Sequence, residues 1–180
     1  MKPFVKLKIP TDLKDVTYGD SIVYYGESHS IEFFKISDII ETKLLEIIPE
    51  DYRQHFKGSV FSINNKYIKP HTDSDRKVGI NFYIKCTNAI TKFFKQKEGI
   101  ISTTEQVVGQ TNGVVYKESD LISIGTFIAH PNDIWILDVS KIHSVINHTG
   151  EERIAYTLSS NIVSYEDTLE ILKDLVCNPV

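Results

Sequence analysis

Sulfur is scarce in this chain: two cysteines, Cys86 and Cys177, and one methionine in 180 residues. The cysteines show no C-x-x-C spacing, so neither a disulfide framework nor a zinc knuckle is expected. Two free thiols suit a reducing compartment, and a cytoplasmic location is the expectation. Basic residues are short as well. Twenty Lys and Arg stand against 24 Asp and Glu, for a formal net charge of −4, so no basic surface recommends nucleic acid as a partner. No apolar run approaches the roughly 18 residues that cross a bilayer. The stretch "MKPFVKLKIPTDLKD" alternates polar and apolar residues and lacks the apolar centre of a signal peptide. There is no internal repeat, linker or low-complexity segment. The remaining composition, 41% hydrophobic and 24% charged, is that of an ordinary globular domain. A chain of this length buries a core without covalent staples.

What the chain does have is short β-forming runs. "SVFSI", "VGINFYI", "AITKFFKQ", "GVVYK", "LISIGTFIA", "DIWILDVS", "HSVIN" and "RIAYTLSSNIV" are rich in β-branched and aromatic residues. Turn-formers such as "TDSD", "HPND" and "NHTGEE" separate them, which reads as a β-sandwich or barrel. In "ERIAYTLSS", Ile154, Tyr156 and Leu158 fall on one face of a strand, and Arg153, Ala155, Thr157 and Ser159 on the other. Residues 1–36 read as strands broken by turns. Ser37 is placed to cap a helix through "DIIETKLLEII", which Pro49 either ends or follows as the start of the turn "EDYRQHF", and Ser164 to cap a closing helix with Asp167 at its third position. The expected layout is one mainly β domain with flanking α-helices. It comprises N-terminal strands and helices (1–56), a β core (57–163) and a C-terminal helix (164–180). The polar segment 95–120 is either a lid or substrate loop, or an ordinary hairpin.

One motif carries chemistry. In "YIKPHTD", His71 and Asp73 stand two residues apart, so in extended chain both point the same way, roughly 6.5–7 Å apart at the backbone. They can converge on one ion, with a third ligand brought from far along the chain. Of His130, His143 and His148, the best placed is His143, which follows the strand "DIWILDVS". Two imidazoles and one carboxylate on one face leave the opposite positions open, the arrangement of non-haem Fe(II) sites. Arg153 heads the next strand, with small residues beside it. A buried guanidinium needs a carboxylate partner. Asp138 is one candidate, and a bound keto-acid is another.

"HTD" at 71–73, His143, and Arg153 ten residues later resemble the H-x-D…H…R pattern of Fe(II)/2-oxoglutarate-dependent dioxygenases, in their prolyl-hydroxylase-like and phage or microbial forms. The resemblance covers roughly residues 57–163. It implies a double-stranded β-helix, the jelly-roll barrel of cupin-like proteins. It also implies Fe(II) on His71, Asp73 and His143, with 2-oxoglutarate and O₂ as co-substrates and the C5 carboxylate of 2-oxoglutarate on Arg153. The outcome would be hydroxylation of a small molecule, an amino acid or a peptidyl side chain, with release of succinate and CO₂. A carboxylate ligand argues against halogenation. The family often has Ser two residues after the arginine; here it is Ala155, which leaves a second keto-acid anchor to Tyr67, Asn81 or Tyr83.

The blander readings differ residue by residue. His130 and His148 sit in turn-like stretches, and His29 and His55 precede the β region. Trp135 and the phenylalanines at 82, 93, 94 and 127 read as core. Asp75, Arg76 and Lys77 read first as a solvated charge cluster and second as substrate contacts. Two other functional classes compete: a cupin-like metal enzyme without a keto-acid, and a non-catalytic jelly-roll binding module.

Overall fold

The computed structural model describes residues 1–8, 23–28, 31–64, 67–73, 75–100, 105–106 and 114–177. Two antiparallel sheets face each other. Eight strands form the central barrel: β4 (Lys57–Ile63), β5 (Tyr67–Thr72), β6 (Val78–Lys85), β7 (Ala89–Gln96), β10 (Leu121–Ile128), β11 (Ile134–Leu137), β12 (His143–Asn147) and β13 (Arg153–Ser160). One sheet runs β11-β6-β13-β4, and the other β10-β7-β12-β5. The chain crosses from sheet to sheet as it winds, which makes a double-stranded β-helix, or jelly roll. Each of the eight runs that read as strands from their composition coincides with, contains or falls within a strand.

The N-terminal strands join this barrel. β1 (Phe4–Lys6) pairs with β11, and β2 (Val23–Ser28) and β3 (Ile31–Lys35) extend the first sheet beyond β4. The short strands β8 (Glu105–Gln106) and β9 (Val114–Val115) extend the second sheet beyond β5. Within the segment 95–120, expected as a lid, a substrate loop or a hairpin, residues 101–104 and 107–113 lie outside the described residues.

The first sheet is covered on both faces. Its outer face carries Val60, Ile80, Phe82, Ile154, Tyr156 and Leu158 against Leu44, Ile48, Phe56, Tyr165 and Leu172 from the helical segments. Its inner face meets the second sheet through Phe61, Tyr83, Phe93, Leu137, Val145 and Ala155. This two-sided burial explains why β13 is buried along nearly its whole length and yet alternates cleanly in character. The helices start where their caps require. Ser37 accepts from Ile40 N ahead of α1 (Asp38–Leu45), and Ser164 accepts from Asp167 N ahead of α3 (Tyr165–Ile171). Pro49 opens α2 (Glu50–Arg53). Asn132 turns between β10 and β11 with φ 69°, and Gly150 before β13 with φ 68°. Both cysteines are free. Trp135 stacks on Phe127 at 4.1 Å between ring centroids. No helix among the described residues is long and apolar enough to cross a membrane.

Leu44 is fully buried between α1 and the sheet. Truncation to Ala should cost about 2–5 kcal/mol in urea unfolding through lost contact and a residual cavity. A loss under about 1 kcal/mol would mean that the helix layer is not packed as described.

Candidate metal centre

The two ligand-bearing strands are adjacent. β12 pairs with β5 so that His143 stands opposite His71, and on its other side with β7 so that His143 stands opposite Phe93. The pairing with β7 is regular. The pairing with β5 slips, since two residues of β12, His143 to Val145, span three of β5, His71 to Ile68. The extra residue is a β-bulge, and Pro70 lies within it, where the missing N–H disrupts no regular ladder. The bulge changes which residues face inward. Ile68 and His71 are both buried, whereas Tyr67 and Lys69 are exposed.

The result is a compact three-ligand face. One ligand atom each from His71, Asp73 and His143 lies within 4.8 Å of the others. The imidazole centroids are 4.4 Å apart, and Phe93 stacks on His143 at 5.6 Å. Each histidine is oriented by the carbonyl two residues before it: Nδ1 of His71 lies 2.8 Å from Lys69 O, and Nδ1 of His143 lies 2.9 Å from Lys141 O. A carbonyl only accepts, so each Nδ1 carries the proton and each Nε2 keeps a lone pair for an ion. Asp73 is set by its own N–H, which donates to Val139 O. Its Oδ1 lies 3.7 Å from His71 Nε2, and its Oδ2 lies 2.7 Å from Arg76 Nη2. Two nitrogens and one carboxylate oxygen suit a divalent first-row metal such as Fe(II) or Mn(II).

Beyond this face the cavity continues between the sheets to Arg153, which is 2% exposed. Its Nη2 donates to Tyr83 Oη (2.8 Å) and to Thr91 Oγ1 (2.9 Å), and the guanidinium sits 4.7 Å over the Tyr83 ring. Nε and Nη1 are buried and make no hydrogen bond among the described residues. No carboxylate pairs with this cation there either. Asp138 instead accepts from Ser140 Oγ. Asn81 and Tyr83 face the cavity together, and Asn81 Nδ2 donates to Tyr83 Oη at 3.2 Å. Phe61, Ile63, Leu137, Val139 and Val145 supply apolar wall.

Most of the residues singled out from sequence therefore meet: His71, Asp73, His143, Arg153, Asn81 and Tyr83 line one cavity. Tyr67 does not. It is 41% exposed, donates to Glu118 Oε2 at 2.8 Å, and lines a separate surface groove with Lys69 and Tyr116. Strict alternation would have set it on the same side as His71, and the bulge reverses that. Thr91 and Arg76 join the site although their local sequence marks neither. Thr91 is found only through cross-strand pairing with Val145. Of the other histidines, His130 and His148 are exposed, His55 is half-buried, and His29 lies outside the described residues.

No family model matches the chain, and no curated protein matches it. Among solved structures, it is similar to the 7S globulin of Momordica charantia (12% identity, 80% of this chain, 33% of that one, TM-score 0.44). It is also similar to the vicilin of Capsicum annuum (13%, 77% and 30%, TM-score 0.42) and to the oxalate decarboxylase of Lactobacillus farciminis (11%, 79% and 32%, TM-score 0.42). The chain thus spans about a third of the length of each. The jelly roll brings together a His/Asp/His cluster that could hold a metal ion.

Burial, then the neighbouring His143, push the His71 imidazole down to about 4 from its usual 6.5, against the pull of Asp73. His71 is therefore neutral in the fold at pH 7. As pH falls, the unfolded chain takes up this proton first. The contribution is complete above about pH 6.5, declines between 6.5 and 4, and is flat below. In chelator, the metal-free protein should lose on the order of 3 kcal/mol across that window beyond what His71→Gln loses. Parallel stability–pH curves for the two proteins would refute the assignment.

Proposed function

We propose that the protein is an Fe(II)- and 2-oxoglutarate-dependent oxygenase acting on a C–H bond of a small molecule, an amino acid or a peptidyl side chain. The observation that carries this reading is the Arg153 guanidinium. It is buried in the same cavity as the His71, Asp73 and His143 cluster, and among the described residues Nε and Nη1 are unbonded and no carboxylate lies beside it. An always-charged group in that position calls for an anion with two parallel acceptors.

The spacing favours a diacid of one length. Thr91, which accepts from Arg153, lies two residues along β7 from Phe93, the cross-strand partner of His143. Two residues of strand rise about 6.8 Å. A five-carbon keto-diacid spans about that distance, with a carboxylate at Arg153 and its α-keto acid end at the ligand face.

Fe(II) in this site would supply the redox chemistry that couples decarboxylation of 2-oxoglutarate, giving succinate and CO₂, to substrate oxidation by O₂. The chain's own part is positional. Arg153 holds the distal carboxylate, while Thr91 and Tyr83 fix the guanidinium plane from opposite sheets. His71 and His143 present Nε2 because the Lys69 and Lys141 carbonyls hold their protons on the other side. Asn81 offers an amide beside the keto-acid path. The apolar wall of Leu137, Val139 and Val145 keeps bulk water from the reacting centre.

Mn(II) should raise the melting temperature, and 2-oxoglutarate should raise it further only when metal is present. Arg153→Met should weaken 2-oxoglutarate by at least about 30-fold and leave Mn(II) affinity within a few-fold, because a buried charge-assisted pair is worth about 2 kcal/mol or more. Thr91→Val should act in the same direction with a smaller loss, and His71→Ala should abolish both ligands. A shift with metal but none with 2-oxoglutarate would favour a cupin-type metal enzyme without a keto-acid. No shift with either would leave a non-catalytic module. Screening amino acids and peptides for stimulated succinate release then identifies the substrate class.

A further inference from the structure

Asp73 divides its two oxygens between different tasks. Oδ1 is turned toward His71 Nε2, and Oδ2 receives Arg76 Nη2 at 2.7 Å. Arg76 is itself held from two further sides. Its guanidinium carbon lies 5.4 Å from the centre of the Phe33 ring on β3, and its Nε lies 3.7 Å from Asp75 Oδ1. The side chain is only 23% exposed and lines the mouth of the metal cavity.

We propose that Arg76 is a positioning residue that holds Asp73 as a one-oxygen ligand and so keeps three coordination positions of the bound metal open. This inference rests on the oxygenase reading for its purpose, since a two-toothed keto-acid and a further reactant together need three positions.

A bound metal and Arg76 would compete for Oδ2. A free carboxylate near a divalent ion can offer one oxygen or both. To bring Oδ2 onto the ion, the Asp73 carboxyl must turn away from Arg76 and break a short, charge-assisted hydrogen bond. Arg76 cannot readily follow, because the Phe33 face and Asp75 hold the guanidinium where it is. Two imidazoles and a single oxygen fill three of the six positions of an octahedral ion, and a second carboxylate oxygen would take a fourth. Arginine suits the task better than a solvated cation, since its planar fork stays charged and fixed in orientation. The tether also gives the N-terminal strand pair a role at the metal, because Phe33 on β3 forms one side of the clamp.

The test uses Mn(II) alone on the full chain. Water-proton relaxivity of the Mn(II)-loaded protein counts inner-sphere waters, and about three are expected in the wild type. In Arg76→Ala the freed Oδ2 should displace one, lowering the inner-sphere relaxivity by about a third while Mn(II) affinity does not fall. Arg76→Gln, which keeps a polar side chain but is shorter and uncharged, should behave like the alanine variant, and Arg76→Lys should restore most of the relaxivity. Affinity for 2-oxoglutarate should fall about 10-fold in Arg76→Ala, because the keto-acid must then expel Oδ2. Unchanged relaxivity in both neutral variants would overturn the proposal. So would loss of Mn(II) itself, which would make Arg76 a support for metal retention. If the wild type shows three waters and 2-oxoglutarate displaces none of them, the oxygenase reading fails while the role of Arg76 in setting the ligand count stands.

Discussion

Arg153 carries a permanent positive charge into the space between two β-sheets, where an ion without a counter-charge is strongly disfavoured relative to water. Two hydroxyls offset part of that cost, one from β6 and one from β7. Because Tyr83 and Thr91 belong to opposite sheets, the guanidinium also ties the sheets together at that level of the barrel. Much of the remaining arrangement follows from it. The residues next to it on the inner face of β13 are small, Ala155 and Thr157, which leaves a path from the guanidinium to the metal face. A cation at one end and three ligands at the other make the cavity complementary to a molecule with charge at both ends, and the apolar wall between them raises the strength of each interaction.

The strands and caps were legible because each is written locally. Alternation along "ERIAYTLSS" separates the outer core from the cavity face without knowledge of any partner strand. Ser37 and Ser164 announce their helices through side chains that reach only three residues ahead. The grouping of His71, Asp73, His143 and Arg153 was legible through their order and spacing, which a barrel with fixed strand connections converts into proximity. Thr91 was not, because its meaning arises from the strand laid beside it. Arg76 was misread for a related reason. In "SDRK" it has the texture of a solvated turn, and only the fold brings Phe33 on β3 to 5.4 Å from its guanidinium carbon and Asp73 Oδ2 to 2.7 Å from its Nη2.

Tyr67 is the instructive failure. Period-two reasoning from His71 places Tyr67 on the same face, and the placement fails through one additional residue near Pro70. Proline at that point is a hint, since it is disfavoured in regular interior ladders, but proline alone does not say that a bulge forms or which neighbour is displaced. Faces in a β-strand are relative, and each bulge resets the count.

The same extra residue bears on how a site of this kind can change across generations. Substitution alters one side chain at a time and leaves its neighbours aimed as before. Loss of the codon for Lys69 would remove the extra residue and leave Ile68 and His71 two apart on the inner face, whereas loss of the codon for Thr72 would set the imidazole and the carboxylate one residue apart on opposite faces, with all three residues still present in the gene. The centre is thus encoded by a length as well as by letters, and in-frame deletions are the changes to which it is most vulnerable.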